Sequence, residues 1–104
     1  MGVIGADTVV VATADQVSCD LDGEAAVLHL ASGMYFGLDG TGATVWALLQ
    51  QAPQRVADLT VAVVDEFAVE REVAQRDILA FLEDLRSHGL VDVAAGADGP
   101  PAPR

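Results

Sequence analysis

The stretch SGMYFGLDGTGATVWALL, residues 32–49, contains the change of pattern that decides the fold. Its first part, MYFGLD, alternates apolar residues between two faces, which is typical of a β-strand. From Asp39 onward the apolar residues recur at helical spacing, and the predicted helix carries Trp46, the only tryptophan of the chain. The stretch therefore predicts a strand that runs directly into a helix.

The chain is short, apolar and strongly acidic. Its 104 residues are enough for one domain, and 52% hydrophobic residues supply a core. A formal net charge of -11 disfavours a nucleic-acid partner, because such binding draws affinity from clustered cations. No apolar run approaches the roughly 18 residues that a membrane span needs, so no membrane association is expected. The start of the chain does not resemble an export signal, which predicts a cytoplasmic location.

Three antiparallel strands are predicted before the first helix. The β-branched runs at residues 8–13 and 16–21 suit one bent strand or two short ones. The segment EAAVLHLAS alternates with Ala25 and Val27 on one face, and MYFGLD follows a turn at Ser32-Gly33. Since Gly37 carries no side chain to pack in a central strand, we expect the last strand to be an edge of the sheet.

Three helices are predicted after these strands, which gives an α+β domain. Asp39 or Thr41 caps the first helix, Ala52-Pro53 ends it, and Gly89 stops the third. The helix residues predicted to face the core are Val45, Trp46, Leu48, Leu49, Val56, Leu59, Val63, Val64, Phe67, Val73, Ile78, Phe81, Leu82 and Leu85. The segment LVDVA favours one more short strand against the three-stranded sheet. We expect one domain over residues 1–93 and a disordered tail over residues 94–104.

No set of residues indicates catalysis, a metal site or a cofactor. A zinc site needs three or four ligands, but the chain has one cysteine, Cys19, and two histidines far apart, His29 and His88. Gly40-Thr41-Gly42 opens a helix, yet it is neither a phosphate-binding loop nor a dinucleotide fingerprint. The sequence therefore predicts a protein that is not an enzyme.

Three helices with a β-hairpin are also the parts of a winged helix-turn-helix DNA-binding domain. The third predicted helix, EREVAQRDILAFLEDLRSHG, carries more acidic than basic residues. A recognition helix with that charge repels phosphate, so a DNA-binding regulator is disfavoured.

The predicted edge strand offers a different kind of recognition. Residues 34–38 contain none of the charges, prolines or bulges with which proteins usually protect an edge. An extended peptide could pair with this strand and place apolar side chains in a cleft beside the third helix. Alternatively, the tail or a second copy covers the edge, and Tyr35 is an ordinary exposed aromatic residue. The residues alone leave both interpretations open.

Three segments in order carry a resemblance to a known family: GMYFGLDGTGATVWALL, VADLTVAVVDEF and VAQRDILAFLEDLRSHGLV. Together they resemble the PqqD-like family of RiPP recognition elements, over about residues 17–93, and look most like the discrete form found in lasso peptide biosynthesis. Asp39 stands where family members often have Asn, and either residue caps a helix well. The resemblance implies a winged helix-turn-helix-like fold, with a three-stranded antiparallel sheet followed by three helices and no catalysis.

The resemblance also implies a peptide site. In such proteins the leader region of a ribosomal precursor peptide adds as an antiparallel strand to the third strand and packs against the third helix. The strand residues that correspond are Met34, Tyr35, Phe36, Gly37 and Leu38. The helix residues are Val73, Asp77, Ala80, Phe81 and Asp84. Whether Phe36, Leu38 and Phe81 belong to the groove or to the core stays open, since an edge strand does not reveal which face is wet.

The function that the resemblance implies is an adaptor for lasso peptide biosynthesis. Its expected partners are the precursor leader, a separate leader peptidase of the transglutaminase-like cysteine protease type, and the ATP-dependent macrolactam cyclase. An alternative is a PqqD-type peptide chaperone for pyrroloquinoline quinone or another radical-SAM pathway.

Overall fold

A computed structural model describes residues 4–94. The elements, in order, are β1 (Val9–Ala12), β2 (Gln16–Asp20), β3 (Glu24–His29), β4 (Tyr35–Asp39), α1 (Gly40–Gln51), β5 (Gln54–Arg55), α2 (Val56–Phe67), α3 (Arg71–Ser87) and β6 (Val91–Val93). The predicted α+β class, with a three-stranded antiparallel sheet followed by three helices, is confirmed. The predicted disordered tail lies, apart from Ala94, outside the described residues.

The main sheet is an antiparallel meander in the order β2-β3-β4. Val27, in the central strand, lies opposite Ser18 of β2 and Phe36 of β4. Its side chain is fully buried, and that of Ala25 on the same face is buried as well. The helices cover this face, whereas the alternating residues of the meander point away from the core.

A second small sheet has the order β5-β1-β6. The two β-branched runs near the start of the chain are therefore two separate strands in different sheets. The expectation that LVDVA pairs with the meander was wrong, because β6 pairs with β1, where Val11 lies opposite Asp92. This arrangement places Leu90 and Val91 in the core beside Val10, all three of them buried.

One hydrophobic core joins the meander to the three helices. Nine of the fourteen helix residues predicted to face it are buried, namely Val45, Trp46, Leu49, Val56, Leu59, Val63, Ile78, Leu82 and Leu85. Trp46 Nε1 donates a hydrogen bond to Ser18 Oγ at 2.9 Å, which ties α1 to β2. Among residues 4–94, no helix has the length and apolar character needed to cross a lipid bilayer.

The buried faces of α2 and α3 differ from the sequence pattern at four positions. Phe67 was expected in the core but is 36% exposed at the end of α2. In α3, Val73 is only half-buried, and the neighbouring Ala74 is buried in its place. Val64 and Phe81 are half-buried as well. In α3 the buried row consists of Ala74, Ile78, Leu82 and Leu85. Because this row begins at the small residue Ala74, Val73 and Phe81 lie beside it and stay partly exposed.

The strand-to-helix junction forms where the sequence predicts it. Gly40 has a φ of +55°, a left-handed conformation that glycine adopts without a steric penalty, and it turns the chain from β4 into α1. Asp39 occupies the N-cap position with an extended backbone, but its side chain makes no capping hydrogen bond. The expectation that the Asp39 carboxylate caps α1 was therefore wrong. This side chain lies on the outer face of β4.

Candidate functional site: an open strand edge

Within residues 4–94, the strand β4 is paired on one side only. In an antiparallel pair, residues that exchange main-chain hydrogen bonds alternate with residues that exchange none. The His29 main-chain N–H donates to the Met34 carbonyl at 2.8 Å, which makes this a bonded pair. The alternation then makes Phe36 and Leu38 the next residues of β4 whose main-chain groups bond to β3.

The intervening residues of β4 point their main-chain groups out of the sheet. By the same alternation, the N–H and C=O groups of Tyr35, Gly37 and Asp39 face away from β3. No other strand among residues 4–94 pairs with this side of β4. The family resemblance implied that residues 34–38 form a peptide-binding edge, and the register shows which of them direct hydrogen-bonding groups away from β3.

The helix α3 lies alongside this edge. The ring of Phe36 is 5.0 Å from the ring of His88, at the end of α3. Farther along, a Cβ placed on Gly42 would lie 3.2 Å from the Phe81 ring and 3.9 Å from the Leu38 Cβ. The strand and the helix therefore run in opposite directions, with aromatic side chains near both ends. We call the space along this seam the groove.

The α3 residues predicted to contact a peptide share this side of the helix. Asp77 and Asp84 are four residues before and three residues after Phe81, so the three side chains occupy neighbouring positions on the helix surface. Asp77, Ala80 and Asp84 are exposed, and Val73 is half-buried. The structure thus places Val73, Asp77, Ala80, Phe81 and Asp84 along the helix that flanks the edge.

Sequence reasoning missed His88 as a member of the groove. Its Nε2 lies 3.8 Å from Asp84 Oδ1, one turn earlier on α3. From the sequence we expected no metal or catalytic role for it and did not place it at the groove, although its spacing from Phe81 and Asp84 continues the same side of the helix. That spacing was the available signal.

Three residues that the sequence could not assign to the groove or to the core lie between the two. Phe36, Leu38 and Phe81 are all half-buried, and all three pack against the buried core. They form the outer layer of the core while keeping part of their apolar surface accessible. A peptide pairing with β4 would therefore meet an apolar floor without any rearrangement of the core.

The turn before β4 is ordered by side-chain contacts. Ser32 Oγ lies 2.8 Å from His29 Nδ1 and accepts the Met34 main-chain N–H at 3.2 Å. Asp15 Oδ2 lies 3.9 Å from His29 Nε2 on the other side of the ring. Among residues 4–94, no group of three or more His, Cys, Asp or Glu residues could hold a metal ion.

The edge and the groove lie in a negatively charged part of the molecule. Residues 1–54 contain no Lys or Arg, and their acidic residues are Asp7, Asp15, Asp20, Asp22, Glu24 and Asp39. On α3, Arg76 lies 4.0 Å from Asp77, but both side chains are largely exposed, so the pair adds little stability. Exposed carboxylates, those of Asp77 and Asp84, therefore border the groove on the helix side.

These features define a class of protein: a small α+β winged-helix-like domain with an open strand edge beside its third helix. The family model of coenzyme PQQ synthesis protein D (PqqD) matches residues 24–91. The chain belongs to the PqqD family, which confirms the resemblance that the sequence predicted.

Two solved structures are similar to the chain over most of its length. The first is TbiB1 in complex with the TbiA(beta) leader peptide, with a TM-score of 0.76 and 34% identity, covering 82% of this chain and 98% of that chain. The second is lasso peptide synthetase B1 complexed with the leader peptide, with a TM-score of 0.67 and 27% identity, covering 80% of this chain and 96% of that chain. No curated protein sequence matches this chain.

Proposed function

We propose that this protein is a non-catalytic adaptor of lasso peptide biosynthesis that captures the leader region of a precursor peptide by strand addition to β4. The observation that carries the proposal is the outward-facing main chain of Tyr35 and Gly37 on an edge bordered by α3. Both similar structures are complexes with leader peptides, which supports a ligand of the same kind here.

The main chain supplies the sequence-independent part of the binding. A leader strand beside β4 receives hydrogen bonds from the N–H groups of Tyr35 and Gly37 and donates to their carbonyl groups. Strand addition of this kind gives affinity through the main chain and specificity through pockets for alternate side chains. Apolar leader residues that point into the groove contact the exposed parts of Phe36, Leu38 and Phe81.

The helix α3 forms the side of the groove opposite β4 and supplies most of the charged residues of the groove. Asp77 and Asp84 are exposed carboxylates on the groove side of the helix, and Ala80 leaves room between them for a peptide side chain. A leader with Lys or Arg near these residues is favoured. Complementary charge at the rim of an interface acts mainly on the association rate.

The adaptor role connects the leader to enzymes that the chain itself does not contain. In this proposal the protein acts in the cytoplasm and needs no cofactor or metal. It presents the bound precursor to a separate leader peptidase of the transglutaminase-like cysteine protease type. Through that step the precursor reaches the ATP-dependent macrolactam cyclase.

A direct test is titration of the protein with the leader peptide of the precursor encoded beside it, followed by fluorescence anisotropy. We expect a Kd below about 10 μM, which corresponds to roughly 7 kcal/mol of binding free energy. A leader of the same composition in scrambled order is the matched control. It keeps the net charge but loses the spacing of the apolar residues that point into the groove. Absence of binding at tens of micromolar would contradict the proposal.

The family description favours one second candidate, a peptide chaperone for pyrroloquinoline quinone or another radical-SAM pathway. It uses the same edge but a different precursor and a different enzyme. Pull-down of the leader-loaded protein with a purified radical-SAM enzyme and with a purified leader peptidase separates the two candidates. Retention of the peptidase alone supports the lasso pathway.

A further inference from the structure

The side chain of His29 lies where three segments around the groove meet. It stands at the end of β3, and only 13% of the side chain is exposed. Its neighbours are Ser32 in the turn before β4, Asp15 in the loop between β1 and β2, and Gly89 directly after the C-cap of α3. Both ring nitrogens therefore have a polar neighbour, as a largely buried polar side chain requires.

The first ring nitrogen connects His29 to the edge strand. Ser32 Oγ lies 2.8 Å from His29 Nδ1 and accepts the Met34 main-chain N–H at 3.2 Å. The Asp15 carboxylate beside Nε2 favours the imidazole proton on that nitrogen, so Nδ1 accepts the proton of the Ser32 hydroxyl. These two hydrogen bonds fix the main chain one residue before Tyr35, the first residue of β4.

The second ring nitrogen connects His29 to the segment that follows α3. Asp15 Oδ2 lies 3.9 Å from His29 Nε2 and accepts the Ala31 main-chain N–H at 3.2 Å. The main-chain N–H of Asp15 donates to Thr13 Oγ1 at 3.1 Å, and the Thr13 N–H donates to the Leu90 carbonyl at 2.8 Å. A continuous polar path thus runs from the start of β4 through His29 to the chain just beyond α3.

Gly89 brings the His29 ring close to the end of α3. A Cβ at Gly89 would lie 3.4 Å from the ring, so the ring lies against this residue. The preceding residue, His88, is the C-cap of α3, and its ring lies 5.0 Å from that of Phe36 in the groove. A displacement of His29 would therefore reach both sides of the groove, β4 through Ser32 and α3 through Gly89.

We propose that His29 is a positioning residue for the leader, because it sets the spacing between the β4 edge and the C-terminal end of α3. This inference rests on the proposed function. His29 needs no contact with the peptide, since it acts through the Met34 main chain on one side and through Gly89 on the other. A groove whose two sides are already held at the bound spacing loses less entropy when a peptide strand enters it.

Substitutions that separate the polar path from the volume of the ring test this role. His29→Asn keeps an amide oxygen near the position of Nδ1 and so retains an acceptor for Ser32. His29→Leu fills similar space without a polar atom, and Ser32→Ala removes the hydroxyl at the other end of the bond. Leader affinity is measured by fluorescence anisotropy, and urea unfolding followed through Trp46 shows that each variant is folded.

We expect His29→Leu and Ser32→Ala each to lower leader affinity by roughly three- to tenfold, the range that one hydrogen bond supports. His29→Asn should stay within about twofold of the unmodified protein. The double variant His29→Leu/Ser32→Ala should bind no more weakly than His29→Leu alone, because both changes interrupt the same path. Ser32→Ala should also shift the His88 amide signal in NMR spectra, which a role confined to the turn would not do.

The control is Thr44→Ala, which removes an exposed hydrogen bond from Thr44 Oγ1 to Glu66 Oε1 at 3.3 Å and should leave leader affinity unchanged. Unchanged affinity in a folded His29→Leu would overturn the positioning role, as would equal losses in His29→Leu and His29→Asn. Where His29→Leu does not fold, a folded Ser32→Ala with unchanged affinity and an unmoved His88 signal overturns it. Failure of the unmodified protein to bind the leader contradicts the proposed function instead, so the two failures are distinguishable.

Discussion

The ring of His88 lies 5.0 Å from the ring of Phe36, so the C-cap of α3 contacts the middle of the edge strand. The Phe36 main chain is bonded to β3, which holds the ring in place from the strand side. Gly89, with a φ of +77°, follows at once, and a Cβ there would lie 3.4 Å from the His29 ring. Contacts within the domain thus position the wall and the floor of the groove before a peptide arrives. Such preorganisation lowers the entropic cost of binding.

The acidic side of α3 leads to a prediction about association kinetics. Replacing both Asp77 and Asp84 by Asn should reduce the association rate of a basic leader several-fold and weaken its dependence on salt, with little change in dissociation. Stopped-flow anisotropy at two salt concentrations measures both quantities. Asp65→Asn, an exposed position on α2, serves as the control and should leave the rate unchanged. Equal association rates for the Asp77/Asp84 double variant and for Asp65→Asn would contradict electrostatic steering by α3.

The hydrogen bond between Trp46 and Ser18 leads to a prediction about stability. Ser18→Ala removes the acceptor of the Trp46 indole N–H, and the ring is only 1% exposed. An unsatisfied buried donor costs about 1–3 kcal/mol, so the urea midpoint should fall. Because Trp46 is the only tryptophan, its fluorescence follows the unfolding directly. Ser87→Ala, at an exposed hydroxyl on α3, should have a smaller effect. Equal midpoints for the two variants would contradict the structural role of this bond.

The end of α2 leads to a prediction of increased stability. Ala68 caps this helix in a left-handed conformation with a φ of +55°, which costs a residue with a Cβ about 1 kcal/mol relative to glycine. Ala68→Gly should therefore raise the melting temperature by several degrees. Ala62→Gly, in the middle of the same helix, should lower it, since glycine costs about 1 kcal/mol in a helix interior. Thermal denaturation measures both variants. Melting temperatures that change in the same direction would contradict the left-handed conformation of Ala68.

Much of the fold was predictable because its signals are local. The alternation around Val27 and Phe36 indicates strands, and the helical spacing around Trp46 indicates a helix that follows at once. The pairing of β6 with β1 was not predictable from three residues, because so short a segment carries no pattern that selects a partner. The burial of Ala74 in place of Val73 depends on how closely α3 approaches the other helices, which is a property of packing.

The candidate site was predictable only in outline. The edge was inferred from Gly37 in the last strand, and its availability to a peptide from the absence of protecting residues. Which residues face outward depends on the register of the β3–β4 hairpin. A shift of one residue would exchange the roles of Tyr35 and Phe36. His88 was missed because its contact with Phe36 joins two segments that are distant in the sequence.

Binding of the leader to Tyr35→Pro tests the central claim most directly. Proline removes the outward N–H of Tyr35 but no hydrogen bond to β3, so a thermal melt should show a folded domain. Tyr35→Val, which keeps the N–H and suits a strand, is the matched control. We predict that Tyr35→Pro loses tenfold or more in leader affinity, about 1.4 kcal/mol or more, while Tyr35→Val stays near the unmodified protein. Equal leader affinities for a folded Tyr35→Pro and for Tyr35→Val would contradict strand addition at β4.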